Sequence, residues 1–346
     1  MLPQPASDRP TRRVAILGAT GLVGRATLAL LEERDFPVDR PRLLASDRGG
    51  SRTLRFRGAE LPVEPVGADS FRDVDIALFA SANPVSQEWA PRARAAGARV
   101  IDNSSAFRYD DDVPLVVPEV NGELLDAQPW LTANPNCSTI AIVLPLAALA
   151  AVAHLERLVV ATYQSVSGAG SEALDDLERG IRDGLLGPPP PRAGGLPPFA
   201  WNIVPHIDRF EDNGYTREEM KIVWESRKIL GLPDLRVTAT AARVPVRVGH
   251  CAAVVASFDR PIDPEQARAL WRAFPGIEVV DEPASHAYPT PLRSAGRDPV
   301  LVGRARRDLS DANGLVFFVA SDNLRKGAAL NAVQIAERLC RQRVTA

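Results

Sequence analysis

The chain has 346 residues, 45% of them hydrophobic and 24% charged, which suits two globular domains with cores of their own. A formal net charge of −2 argues against a nucleic-acid partner or a membrane surface. Three widely spaced cysteines (Cys137, Cys251 and Cys340) form neither a disulfide framework nor a paired metal site, so a reducing cytoplasm without a metal is expected.

Residues 1–13 are polar and proline-bearing, without an apolar signal core, and read as a disordered lead-in. A β-rich run at 14–17 then feeds into Gly18-Ala19-Thr20-Gly21-Leu22-Val23-Gly24 and a helical stretch at 25–34. Strand, glycine turn and helix in that order make a dinucleotide cradle, in which backbone approaches a pyrophosphate at the helix start. A tight turn without a ligand is the plainer alternative. A second strand at 42–45 ends in Ser46-Asp47-Arg48-Gly49-Gly50, where an adenosine ribose would lie. Arg48 suits a 2′-phosphate and hence NADP, whereas Asp47 suits a free ribose hydroxyl and hence NAD.

Further β-type runs at 74–80 and 99–101, with a helix between them, predict a doubly wound parallel sheet. Asn103-Ser104-Ser105-Ala106-Phe107-Arg108 follows that strand and is either a ligand loop or an ordinary polar one. Next comes Ala133-Asn134-Pro135-Asn136-Cys137-Ser138-Thr139, a turn opening a long apolar helix. At a helix start the unpaired N–H groups and the dipole favour a thiolate, so Cys137 reads as a nucleophile. The competing reading is a small cysteine packed under a helix.

Beyond Cys137, extended runs at 158–165, 236–248, 252–258 and 315–320 predict an antiparallel or mixed sheet with one face covered by helices. The proline-rich stretch 187–198 reads as an exposed loop, and 326–341 as a last amphipathic helix. Gln164 stands at a strand end, as an orienting amide or a solvated one. Thr216 and Glu219 form a capping-box pattern that places Glu218 and Lys221 on one helix face, where a plain surface pair is the simpler account. Arg243 suits a carboxylate. His250 is one of four histidines that could transfer a proton.

GATGLVG, NSSAFR, VPEVN, NPNCST, YQSVSGAG, EEMK, RVPV followed by GH, and SDNLRKGAALNAVQIAE occur in this order across nearly the whole chain. The ordered set resembles the bacterial aspartate-β-semialdehyde dehydrogenase family. That resemblance implies an α/β fold like glyceraldehyde-3-phosphate dehydrogenase. A Rossmann-type dinucleotide-binding domain (1–137, completed by 326–346) would precede an α+β catalytic and dimerisation domain (138–325). It also implies NADP-dependent interconversion of aspartyl phosphate and aspartate semialdehyde through a Cys137 thioester, in a homodimer or homotetramer. By the same resemblance Gln164 orients the intermediate and His250 is the general acid/base. Arg243 and Glu218 take the substrate's carboxylate and amino group, Arg108 and Lys221 take phosphate, and Asn136 contacts either. On the cofactor side stand Gly18, Thr20, Gly21, Val23, Ser46, Arg48, Ser167 and Gly168, with Asn323 at the nicotinamide. Asp47 departs from the family's small neutral residue and leaves NAD open; Cys251 is either a second thiol near the site or a buried strand residue. The rival readings are N-acetyl-γ-glutamyl-phosphate reductase, which shares fold and mechanism, and a non-catalytic dinucleotide-binding redox sensor.

Overall fold

A computed structural model describes residues 11–46, 52–185, 187–188, 191–192 and 195–341. It divides into two compact units, one holding the described residues up to Pro135 together with those from Ala328 onward, the other Asn136–Gly327. The division expected after Cys137 thus falls two residues earlier, and the thiol goes with the second unit.

The first unit begins with β1 (Val14–Leu17), α1 (Leu22–Glu33), β2 (Arg42–Ala45), β3 (Arg52–Phe56), β4 (Ala59–Pro65) and β5 (Ile76–Phe79). It continues with α2 (Asn83–Ala95), β6 (Arg99–Asp102), the short α3 (Pro118–Asn121) and β7 (Leu131–Ala133). Its sheet runs β3-β4-β2-β1-β5-β6-β7. All neighbours pair in parallel except β3 with β4. Leaving β3 aside, this is the doubly wound order in which the strand sequence reverses at β1 and β5. The apolar strands β1 and β5 are buried throughout, as strands covered on both faces must be.

Gly18 ends β1 with φ +87, and a Cβ there would lie 2.4 Å from the Ala80 carbonyl oxygen. Only glycine allows that backbone approach at the reversal point. β3 and β4 were not anticipated. β3 is the sheet edge and β4 stands next to it, and in both strands most positions are exposed, so their apolar signal is weak.

The second unit contains α4 (Cys137–Leu149), β8 (Leu155–Gln164), α5 (Ser171–Asp183), α6 (Arg217–Leu230), β9 (Arg236–Arg243), β10 (His250–Phe258) and α7 (Pro264–Ala273). β11 (Ile277–Val279), α8 (Pro291–Ser294), β12 (Val300–Arg307) and β13 (Gly314–Ser321) follow. The mixed sheet runs β11-β12-β13-β10-β8-β9, parallel at its two edge pairs and antiparallel within. Helix α4 packs across β8, β10, β12 and β13, with α6 and α7 beside it. All of its residues but Cys137 and Ala147 are buried, which explains why its sequence is apolar on every side.

The run expected as one strand over 236–248 stops at Arg243. Pro245 has no N–H to donate, and Val246 and Arg247 turn their carbonyls to the Val166 and Ser167 N–H groups instead. Within 187–198 the described residues are exposed, apart from half-buried Arg192 and Pro198. The last helix splits into a π-helical turn, Arg325–Ala329, and α9 (Leu330–Arg341), whose described residues belong to the first unit. Among the described residues no helix is long and apolar enough to cross a membrane.

Candidate active site

Cys137 is the first residue of α4 and is half-buried. The N-cap is Asn136, whose Oδ1 accepts from the N–H groups of Ser138 (3.0 Å) and Thr139 (3.2 Å). The helix opening read at Ser138 and Thr139 therefore has its first-turn donors already engaged by a side chain. Asn136 is itself held from α6. Its backbone N–H donates to Glu225 Oε2 at 2.6 Å and its Nδ2 to Glu218 Oε1 at 2.9 Å. Glu218 and Glu225 are seven residues apart, two helical turns, so one face of α6 grips both ends of the residue before the thiol.

Strand register gathers three more side chains at one end of the sheet. Gln164 and Arg243 are paired at the carboxyl ends of parallel β8 and β9, while antiparallel β10 starts beside them at His250. The Arg243 Nη1 donates to the Ser165 carbonyl at 2.7 Å, and Gln164 Nε2 donates to Glu218 Oε1 at 3.1 Å. The His250 Nδ1 lies 3.1 Å from the Ser165 N and 3.0 Å from Ser165 Oγ, while its buried Nε2 has no protein partner. A Cβ placed on Gly168 would lie 3.0 Å from Arg243 Nη1 and 3.1 Å from His250 Nε2. Arg243 and His250 therefore converge on the space above Gly168.

Burial, reinforced by the Arg243 cation, pulls His250 down from 6.5 to about 3, so the ring is neutral at pH 7. Burial likewise lowers Arg243, against the opposing charges of Glu218 and Cys137. That last influence places the sulfur within electrostatic range of the guanidinium. Glu218, 5% exposed, would be raised by burial, yet Lys221 and the donors Asn136 and Gln164 hold it well below the usual carboxylate range. Lys221 Nζ sits 3.0 Å from Glu218 Oε2 and 2.8 Å from Asp208 Oδ2. Burial opposes its charge, but those two carboxylates raise it overall. This pair joins a buried carboxylate to a half-buried lysine and is not the surface ion pair that spacing alone suggests. The capping box of Thr216 and Glu219 is present and starts α6 at the turn that presents Glu218.

In the first unit, α1 opens at Gly21 without a side-chain cap and without an acidic residue in its first turn, which suits a pyrophosphate there. Gly18, Thr20, Gly21 and Val23 lie on or beside that turn. Ser46 follows β2, while Asp47 and Arg48 lie outside the described residues. Arg108 is buried, its Nη2 donating to the Asn103 carbonyl at 2.6 Å, in a loop anchored by Asp102. The Asp102 carboxylate accepts from Ser86, from Ser104 Oγ and from the Ser104 N–H.

Asn323 and Ser167 are buried in the second unit and bonded to each other, to Ser165 and to Gly249. Cys251 is a buried strand residue whose thiol burial pushes up to about 12. Ser165, Glu225 and Asp208 were not singled out from sequence. Ser165 and Glu225 act on residues more than 80 positions away and Asp208 on one 13 positions away, and only Ser165 lies inside a recognised motif. Among the described residues no cluster of side chains could hold a metal.

Chemistry of this kind belongs to dinucleotide-dependent dehydrogenases that process a carbonyl on a cysteine sulfur. Residues 13–128 match the family described as semialdehyde dehydrogenase, NAD binding domain, and residues 146–326 match semialdehyde dehydrogenase, dimerisation domain. Aspartate-semialdehyde dehydrogenase of Aquifex aeolicus is 47% identical over 95% of this chain and 98% of its own. The crystal structure of aspartate semialdehyde dehydrogenase II from Vibrio cholerae, complexed with ASA, superposes with a TM-score of 0.92 at 46% identity, covering 96% of this chain and 99% of that one. The Candida albicans enzyme with NADP gives 0.74 at 25% identity, covering 95% and 98%. The chain belongs to the aspartate-semialdehyde dehydrogenase family.

Proposed function

We propose that this chain reduces aspartyl phosphate to aspartate semialdehyde with NADPH, and catalyses the reverse reaction with phosphate and NADP. The observation that carries the reading is the gathering of His250, Gln164 and Arg243 at one sheet end, together with the α6 grip on the Asn136–Cys137 turn. In the oxidative direction the Cys137 thiolate attacks the aldehyde carbon, forming a C–S bond and an oxyanion that His250 and Gln164 meet. A dinucleotide held at the glycine turn would supply hydride acceptance, and Cys137 would then carry the acyl group as a thioester. A phosphate oxygen then attacks the thioester carbonyl, and the C–S bond breaks to return the thiolate and release the acyl phosphate. Arg243 holds the substrate's carboxylate and ionised Glu218 its ammonium, while Lys221 and Arg108 serve phosphate.

Gly18, Thr20, Gly21, Val23, Ser46 and Arg48 would hold the dinucleotide, and Arg48 would select NADP against the pull of Asp47. The Candida albicans structure with NADP supports that choice. The match to a dimerisation domain supports a homodimer, whose expected home is the cytoplasm, and the residues up to Pro135 with those from Ala328 onward would form the cofactor domain. Steady-state rates with aspartate semialdehyde, phosphate and NADP test the reading. Turnover should vanish in Cys137→Ala while dinucleotide binding persists. A preference for N-acetylglutamate semialdehyde would overturn the assignment, and wild-type rates in the alanine variant would overturn the covalent route.

A further inference from the structure

We propose that Glu225 is a positioning residue that fixes the Cys137 thiol by holding the backbone N–H of Asn136. This rests on the reaction assigned above and specifies what keeps its nucleophile in place. Glu225 is 0% exposed, and its Oε2 accepts from the Asn136 N–H at 2.6 Å. A carboxyl group buried that deeply lowers stability unless hydrogen bonds offset its lost hydration, and an apolar side chain would pack there without that cost. The bond it makes falls on the residue immediately before the nucleophile.

The backbone entering α4 offers few other holds. Pro135 has no N–H, so Asn136 carries the first amide after Asn134. As N-cap, with φ −62 and ψ 142, Asn136 finds no acceptor for that amide within α4. Its side chain works in both directions, Oδ1 capping Ser138 and Thr139 while Nδ2 donates to Glu218. Packing then removes slack at the cysteine itself. Gly327, in the π-helical turn Arg325–Ala329, lies so close that a Cβ on it would be 2.9 Å from Cys137 Cβ and 3.3 Å from its Cα. The nucleophile is braced by α6 through the residue before it, and by a bare α-carbon against its own side chain.

Holding and charge make opposite demands on this side chain. If an oxygen holds the turn, Gln can replace Glu225, whereas Asp is one methylene too short to reach the amide. If a negative charge acts on the thiol, Asp can replace it and Gln cannot. The bond ends on a backbone amide, which carries no net charge, and so the geometry is that of a hold. Placement matters because a displacement of about 1 Å at a reacting atom can cost about 100-fold in rate. A cysteine moved off the helix start also loses the N–H groups and dipole that favour its thiolate.

Steady-state kinetics of the full chain with aspartate semialdehyde, phosphate and NADP read the first effect. Alkylation of Cys137 by iodoacetamide at pH 7, followed by mass spectrometry, reads the second. Glu225→Asp should lower kcat by about 10- to 100-fold with KM little changed, and should slow the alkylation. Glu225→Gln keeps an oxygen at full reach and should stay within about fivefold of the wild-type kcat, with alkylation near the wild-type rate. A folded Glu225→Asp with wild-type kcat overturns the proposal, and so does a Glu225→Gln that loses as much as Glu225→Asp. If the Asp variant does not fold, the Gln variant decides alone: near-wild-type kcat and alkylation support the hold, and a larger loss overturns it. Absence of aspartate semialdehyde turnover in the wild-type chain sinks the functional reading instead, and leaves the order of alkylation rates to judge the role of Glu225.

Discussion

Keeping His250 neutral in a buried site has a consequence for stability. Its titration point falls from 6.5 to about 3 on folding. Between those values the unfolded chain binds a proton that the folded chain refuses, so stability declines as pH drops from about 6.5 toward 3. At pH 5 the loss relative to pH 7 amounts to about 2 kcal/mol from this residue. Glu218 works in a lower window. Its lowered carboxyl contributes stability that is intact above its ordinary 4.5 and is lost only as pH falls below that. Urea unfolding at pH 7 and pH 5 should therefore show a pH decrement about 2 kcal/mol smaller in His250→Gln than in the wild type. Equal decrements in the two proteins would mean that the ring is not held neutral. Other groups that titrate in this interval are common to both proteins and cancel.

Two helix starts do different work at the scale of elements. Thr216 caps α6 through a reciprocal box with Glu219, a local arrangement whose loss in Thr216→Ala should cost about 1 kcal/mol. Asn136 caps α4 and also donates to Glu218 and Glu225. Asn136→Ala removes the cap and one of the donors to a buried carboxylate, and should cost about 2–3 kcal/mol. Chemical denaturation of both variants decides the matter; equal costs would show that the α6 contact contributes nothing. Legibility follows the same line. The glycine turn after β1, the thiol at the start of α4 and the capping box of α6 could be read because each is written within a few consecutive residues. The end of β9 at Arg243 was harder, since the β-type pattern continues through Pro245 and only the missing amide stops the ladder. That His250 is the histidine brought beside Gln164 and Ser165 depends on the register of β10 against β8. No local pattern records that register. The meeting of Glu225 with Asn136 has the same character, being made by helix packing across 89 positions.

At the scale of the whole molecule, the dinucleotide unit is not contiguous in sequence, and α9 is part of its core. Leu330, Val333, Ile335, Ala336 and Leu339 are buried in one cluster with Leu28, Leu31, Val116 and Leu125. Glu337 receives both Nε (2.7 Å) and Nη2 (2.9 Å) of Arg34 from α1. Asn331 donates to the Val116 carbonyl and to Asn134 Oδ1, satisfying groups that would otherwise be buried without a partner. Each large apolar side chain in that list contributes about 1.5–3 kcal/mol on burial. Four such residues together match the whole net stability of an ordinary domain, about 5–15 kcal/mol. A chain ending at Gly327 should therefore be unable to fold its first unit, although every strand of that sheet lies before the cut. Calorimetry should show one cooperative transition fewer than in the full chain, and titration with NADP should show no binding. A truncated chain that melted like the full one and still bound dinucleotide would show that the α1–β7 segment holds a sufficient core of its own, leaving α9 as a mere cover.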